Sequence, residues 1–224
     1  SFLTEVQTRY GGTRIGRQEL EGVLVEDEEG ALWTLAMLDR AREAAAPVPN
    51  RIVVAVDPPV TSMKSSDECG IVVVGADTRG EPKDWRAVVL EDASVKGATP
   101  EGWARAALAA MERHGADRLV AEVNQGGDLV EKVVRMIDPS VPFRAVHATR
   151  SKMLRAEPVA ALYEQGRVAH VRGLQALEDQ MCRMTATGWQ GAGSPDRLDA
   201  LVWALTELLV APMGQTRRPA VRTL

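Results

Sequence analysis

Apolar positions fall into short β-branched runs through the middle of the chain and into helical spacing toward its end. IVVAVD (52–57), GIVVVGAD (70–77) and WRAVVLED (85–92) are runs rich in valine and isoleucine, separated by turn-forming stretches. They predict three strands in an antiparallel meander. Thr99 can cap a helix with Pro100 at its first position, and His114-Gly115 can end it, glycine being the usual left-handed stop. DRLVAEV (117–123) predicts a strand, GGDLVEKVVRMI a helix, and VPFRAVHA (141–148) a further strand. RAEPVAALYEQG and GLQALEDQMCRM read as amphipathic helices on either side of a short extended piece, RVAHV. TATGWQGAGSP reads as a Gly-rich loop. PDRLDALVWALTELLVA reads as a strongly apolar helix, with Ser194 as its cap and Pro195 at its first position.

The two ends differ from this middle. Residues 1–46 are polar and Gly-interrupted, with an acidic run from Glu26 to Glu29 and one short helical pattern, TLAMLDRAREAAA. APVPN (46–50) marks a boundary, because two prolines in four residues discourage both helix and ladder. Three parts are expected: a linker over 1–46, a main domain over 47–212, and a loose basic tail over 213–224. With 224 residues and 45% hydrophobic content, one core is expected. A net charge of -4 excludes a protein that coats nucleic acid by overall charge, so any such contact must be local. Two scattered cysteines fit neither a disulfide framework nor a zinc site, and no run is long and apolar enough to span a membrane.

Against that background the placement of acids stands out. Asp57 ends an apolar strand and is followed by two prolines; a carboxylate there is held rigidly at a strand end, although an aspartate opening a turn would look the same. Glu122 lies inside an apolar strand, on the same face as Val120, where burial is costly unless a cation or partner neutralises it. Asp196 and Asp199 are three apart and share a face of the last helix. Asp196 also suits the helix N-terminus by charge, whereas Asp199 sits among Ala200, Leu201 and Trp203. Asp67 could add a carboxylate from the start of the second strand, with Glu68 beside it as a loop acid. Such carboxylates, distant in sequence but able to converge, can hold divalent metals for phosphodiester cleavage. Arg150, Lys152 and Arg155 form a basic cluster suited to sequence-independent phosphate contacts. His114, His147 and His170 show no ligand spacing.

A three-strand antiparallel meander followed by two strands reached through helices is the ribonuclease-H-like order: an α/β mixed sheet with parallel strands added, flanked by helices. Taken together, VAVDPP, SSDECGIVVVG, VAEVNQGGDLV, KMLRAEPVAALYEQGRVAHV, LEDQM and SPDRLDALVWAL resemble the C-terminal nuclease domain of the large terminase subunit of tailed bacteriophages and gene transfer agents. The resemblance covers roughly residues 50–211. It implies a metal-dependent endonuclease that cuts double-stranded DNA concatemers with little sequence preference. It further implies Asp57, Glu122 and the Asp196/Asp199 pair as ligands of two Mg2+ or Mn2+ ions, with Asp67 as accessory. The implied setting is the host cytoplasm, with the portal protein and small terminase subunit as partners of the full-length protein and the isolated domain a monomer. No GxxxxGK[ST] is present, so the ATPase motor of such proteins is missing and residues 1–46 resemble the stretch that follows it. Two other readings share parts of the pattern: a non-catalytic DNA-gripping module that docks on a portal, and another ribonuclease-H-like enzyme such as a junction resolvase.

Overall fold

The computed structural model describes residues 27–59, 68–123 and 127–216. Its centre is a mixed sheet. β1 (Arg51–Asp57), β2 (Glu68–Asp77) and β3 (Arg86–Asp92) form the expected antiparallel meander. A short β4 (Val95–Lys96) returns against the start of β2. Helix α2 (Pro100–His114) leads to β5 (Arg118–Glu122), which pairs parallel to β1. Helix α3 (Gly127–Ile137) leads to β6 (Phe143–Val146), parallel to β5. Helix α4 (Lys152–Glu164) then crosses to the opposite edge, where β7 (Val168–His170) runs parallel to β3. The sheet order is β6-β5-β1-β2-β3-β7.

β1 and β2 occupy the middle, and their sequences explain why. Val53 to Val56 are all fully buried, as a strand covered on both faces requires. Alternation splits them between two cores. Val53 and Ala55 face a layer built from α1 (Leu35–Glu43), α4, α5 (Gln175–Cys182) and α6 (Asp196–Leu205), while Val54 and Val56 face α2 and α3. Helix α2 begins and ends as its sequence predicts. Thr99 Oγ1 accepts from the Gly102 N–H at 3.1 Å, and Gly115 closes the helix with φ 58°.

Three local expectations are corrected. Ser194 does not cap α6; Pro195 holds the cap position without a side-chain bond, and the Ser194 hydroxyl instead accepts from Lys152 at 2.8 Å. The Gly-rich loop contains a small hairpin, β8 (Met184–Thr185) with β9 (Gly188–Trp189). After α6 the chain passes through one turn of π-helix, Thr206–Val210, before α7 (Ala211–Thr216).

The described part of the first 46 residues is packed into the domain. Trp33 and Leu38 are completely buried, and the Trp33 and Tyr163 rings meet edge to face. Arg42 on α1 donates to both oxygens of Glu178, at 3.1 and 2.7 Å; Glu178 in turn pairs with His170 Nδ1 at 2.9 Å, and His170 Nε2 meets the Tyr163 hydroxyl at 2.7 Å. Burial works against ionisation of Glu178, but His170 and Arg42 hold its carboxyl below the usual range. Both cysteines are free and buried.

If α1 and its approach belong to the domain's core, Trp33→Ala should lower the unfolding free energy by about 3–5 kcal/mol. A urea titration measures this; an unchanged midpoint would make the segment an appendage.

Candidate active site

Strand alternation brings the acids together. Asp57 and Glu122 lie at the C-terminal ends of the adjacent parallel strands β1 and β5, both on the face toward α6. Helix α6 crosses that face with its first turn over the ends of β1 and β2, which delivers Asp196 and Asp199 to the same place. The approach depends on Gly70, which pairs directly with Asp57 across β1 and β2. A Cβ at Gly70 would overlap the Asp196 carbonyl and crowd the Arg197 N–H. Only a residue without a side chain allows the helix backbone to lie against the sheet there.

The first turn of α6 is also clamped from the side. Arg197 donates to both oxygens of Glu68, at 2.8 and 2.7 Å, and pairs with Asp92 at the end of β3. The Leu198 N–H donates to the Gln180 side-chain oxygen at 3.1 Å. Glu68 is thus a structural ion-pair partner rather than a loop acid.

Within the cluster, two cations from the first turn of α4 point inward. Lys152 Nζ lies 2.5 Å from Asp199 Oδ2, and Arg155 bridges Glu122 at 3.1 Å and Asp199 at 3.5 Å. Trp203, one turn beyond Asp199, donates its indole N–H to Glu122 at 2.6 Å, and the Arg155 guanidinium stacks 4.7 Å above its ring. Asp199 is only 2% exposed; Asp196 is half-buried. Arg150, on the approach to α4, is exposed. Asp67 lies outside the described residues.

With every carboxyl ionised, four carboxylates (Asp57, Glu122, Asp196, Asp199) against two cations (Lys152, Arg155) give the cluster a surplus of two negative charges. Removal from water, then repulsion from Asp199 and Glu122, lifts the Asp57 carboxyl well above its ordinary range. Burial also raises Asp199, against the pull of Lys152 and Arg155, and raises Asp196 against Ser194 and Lys152. The Lys152 ammonium loses hydration, but Asp199, Asp57 and Asp196 more than compensate and raise its pKa. Asp199 weighs more heavily on Asp57 than Asp196 does, which ranks it first of the helical pair as a neighbour of the central carboxylate.

Hard carboxylate oxygens carrying that surplus of negative charge are the donor set a divalent Mg2+-type ion requires. Among the described residues, no three acids, histidines or cysteines are yet grouped closely enough to hold an ion together. Glu122 and Asp199 are instead turned toward Lys152 and Arg155.

Sequence reasoning did not find Trp203, Gly70 or Arg197. Trp203 had a signal, since it is four residues from Asp199 and so on the same helix face. Gly70 had none that distinguishes it from a turn glycine.

The family model for the terminase RNase H-like domain matches residues 54–208. No curated protein matches. Among solved structures, the large terminase nuclease of thermophilic phage G20c aligns with a TM-score of 0.57 at 18% identity, covering 80% of this chain and 98% of that one. The same nuclease with bound magnesium aligns at 0.56 and 17% identity, with the same coverage. The large terminase of a second thermophilic bacteriophage aligns at 0.56 and 11% identity; the match covers 93% of this chain and 52% of that one.

Two outcomes test the site's construction. Gly70→Ala should destabilise the protein by about 1–3 kcal/mol through overpacking against α6, measured by urea unfolding. Asp57 supplies a test by pH. Its carboxyl is raised in the folded state, so folding is unaffected below the unfolded value of about 3.9 and loses stability as pH rises through the folded value. Asp57→Asn should therefore raise the metal-free urea midpoint at pH 7, with the gain vanishing toward pH 3. A variant midpoint equal to the parent's at both pH values would remove the cost of burying this carboxylate beside the other acids from the account.

Proposed function

Because this chain belongs to the family of terminase RNase H-like domains, we propose that it is a metal-dependent endonuclease that cuts double-stranded DNA concatemers during genome packaging. The observation that carries the reading is the convergence of Asp57, Glu122, Asp196 and Asp199 on one sheet face with a surplus of negative charge. A protein that only gripped DNA or docked on a portal would gain nothing from forcing acids together at a cost in stability.

Two Mg2+ or Mn2+ ions, held by Asp57, Glu122, Asp199 and Asp196 with Asp67 as accessory, would polarise the scissile phosphate, activate a water and stabilise the departing 3′ oxygen. The chain's own residues prepare for this. Trp203 and Arg155 fix the Glu122 carboxylate in one orientation. Asp57, at the end of the central strand β1, buried and repelled by the other acids, is the group most in need of a cation and would be a principal ligand. Lys152 and Arg155 compensate the acids in the metal-free protein. With Arg150 they hold the phosphates of the bound strand once the acids have another partner. These contacts read the backbone rather than base edges, in keeping with cleavage of little sequence preference. The portal and the small terminase subunit are partners of the full-length protein, and the host cytoplasm is its setting.

Purified protein should nick or linearise plasmid DNA when Mg2+ or Mn2+ is supplied, and EDTA should stop it. Asp57→Ala and Glu122→Ala should each cut activity by roughly 100-fold or more while far-UV circular dichroism remains that of the parent. Cleavage persisting in both variants would overturn the assignment.

A further inference from the structure

A second charged constellation lies at the other end of the same sheet face. Glu207, in the π-helical turn after α6, is 5% exposed, yet three arginines from three adjacent strands converge on it. Arg118 of β5 and Arg144 of β6 each place a guanidinium nitrogen 2.8 Å from a Glu207 oxygen, and Arg51 of β1 lies at 3.9 Å. One carboxylate against three guanidiniums leaves a surplus of two positive charges. The arginines are not consumed by this contact. Their side chains remain 35%, 40% and 48% exposed for Arg51, Arg118 and Arg144. Each guanidinium has five donors, and among the described residues none of the three makes a hydrogen bond or ion pair elsewhere.

Their placement relates them to the acids. Arg51 and Asp57 are six residues apart on β1, and Arg118 and Glu122 four apart on β5, so each pair shares a face. Arg144 pairs with Val120, whose side chain points to that face too. Helix α6 packs mainly on β2 and β1, and Arg144 and Ala145 on the edge strand are exposed. At ~3.3 Å per residue, Arg51, Arg118 and Arg144 stand ~20, ~13 and ~7 Å along their strands from the end that carries Asp57 and Glu122, so the row runs diagonally away from the acids.

We infer that Arg51, Arg118 and Arg144 form a preorganised phosphate-binding row, which grips the duplex backbone to one side of the bond being cut. This rests on the nuclease reading of the acidic cluster. Glu207 is the positioning residue: a single buried carboxylate holds three guanidiniums side by side that would otherwise repel, and it leaves their outer donors facing solvent. In a chain with net charge -4, such a row supplies a local attraction for DNA that the overall charge does not. The surplus positive charge and the shared face with the carboxylates favour a polyphosphate backbone over an acidic protein segment.

The test uses the whole chain in EDTA and a fluorescent 30-base-pair duplex, with affinity measured by anisotropy from 50 to 200 mM salt. Arg118→Gln/Arg144→Gln keeps a hydrogen-bonding group near Glu207 while removing two charges; Arg51→Gln, the most distant from Glu207, serves where the double variant unfolds by circular dichroism. Each lost phosphate contact should flatten the log–log salt slope by about 0.9, so about 1.8 for the double variant and 0.9 for Arg51→Gln. Affinity should fall roughly tenfold or more at 100 mM salt for the double variant. An unchanged slope, or a parent that does not bind the duplex even at 50 mM salt, would overturn the inference. So would unchanged duplex binding with loss of binding to poly-glutamate, which would assign the row to an acidic protein partner. Plasmid cleavage with Mn2+, assayed separately on the parent, tells the two readings apart. Failure to cut with arginine-dependent binding intact rejects the nuclease reading alone, while cutting with an unchanged slope rejects the row alone.

Discussion

Mutual repulsion among Asp57, Glu122, Asp196 and Asp199 is the constraint around which this domain is built. Left to themselves the carboxylates would separate or take up protons, and the Asp57 carboxyl, raised first by burial and then by Asp199 and Glu122, records that tendency. What holds them is apolar. Leu198, Leu201, Leu205 and Leu208 are fully buried against the sheet, and the seat they make fixes the polar first turn of α6 over β1 and β2. Hydrophobic burial of about 1.5–3 kcal/mol per side chain outweighs the repulsion of a few partly compensated charges. The sheet core is therefore the agent that concentrates negative charge, and the ion pairs with Lys152 and Arg155 offset only part of the repulsion.

Each acid sits where a different element ends or begins, and the compensation is divided in the same way. Arg197 ties α6 to β2 and β3 from outside the cluster, whereas Lys152 and Arg155 reach in from α4. The first contact is geometric, since Glu68 and Asp92 anchor the helix end whatever occupies the cluster. The second is electrostatic and exchangeable. A protein that must bring acids together before its cation arrives needs both kinds, one to keep the shape and one to limit the charge.

The succession of strands and helices along the chain and the residues of the acidic cluster were readable because both are written in short-range pattern. Valine runs, the Thr99 cap and the Gly115 stop are local signals, and an acid inside an apolar strand such as Glu122 is costly enough to be noticed wherever it occurs. The missed features depend on tertiary contact. Gly70 looks like a turn glycine until α6 lies on it; Arg155 reads as a surface phosphate contact until Trp203 provides a ring to stack on. Trp33 and Arg42 lie in a polar, Gly-interrupted stretch read as linker, because no local periodicity reveals that Tyr163 and Glu178 wait for them far along the chain. The three arginines around Glu207 are scattered over strands whose adjacency only the sheet order discloses.

Gly70 also sets a limit on how such a protein can change over generations. An altered side chain in the surroundings of the cluster can be accommodated by a neighbour that adopts another rotamer. The contact at Gly70 is between two main chains, and main chains have no rotamers to exchange. Descendants of this sequence are free to drift at the residues around the cluster sooner than at this one, where the lineage is held by an atom that is not there.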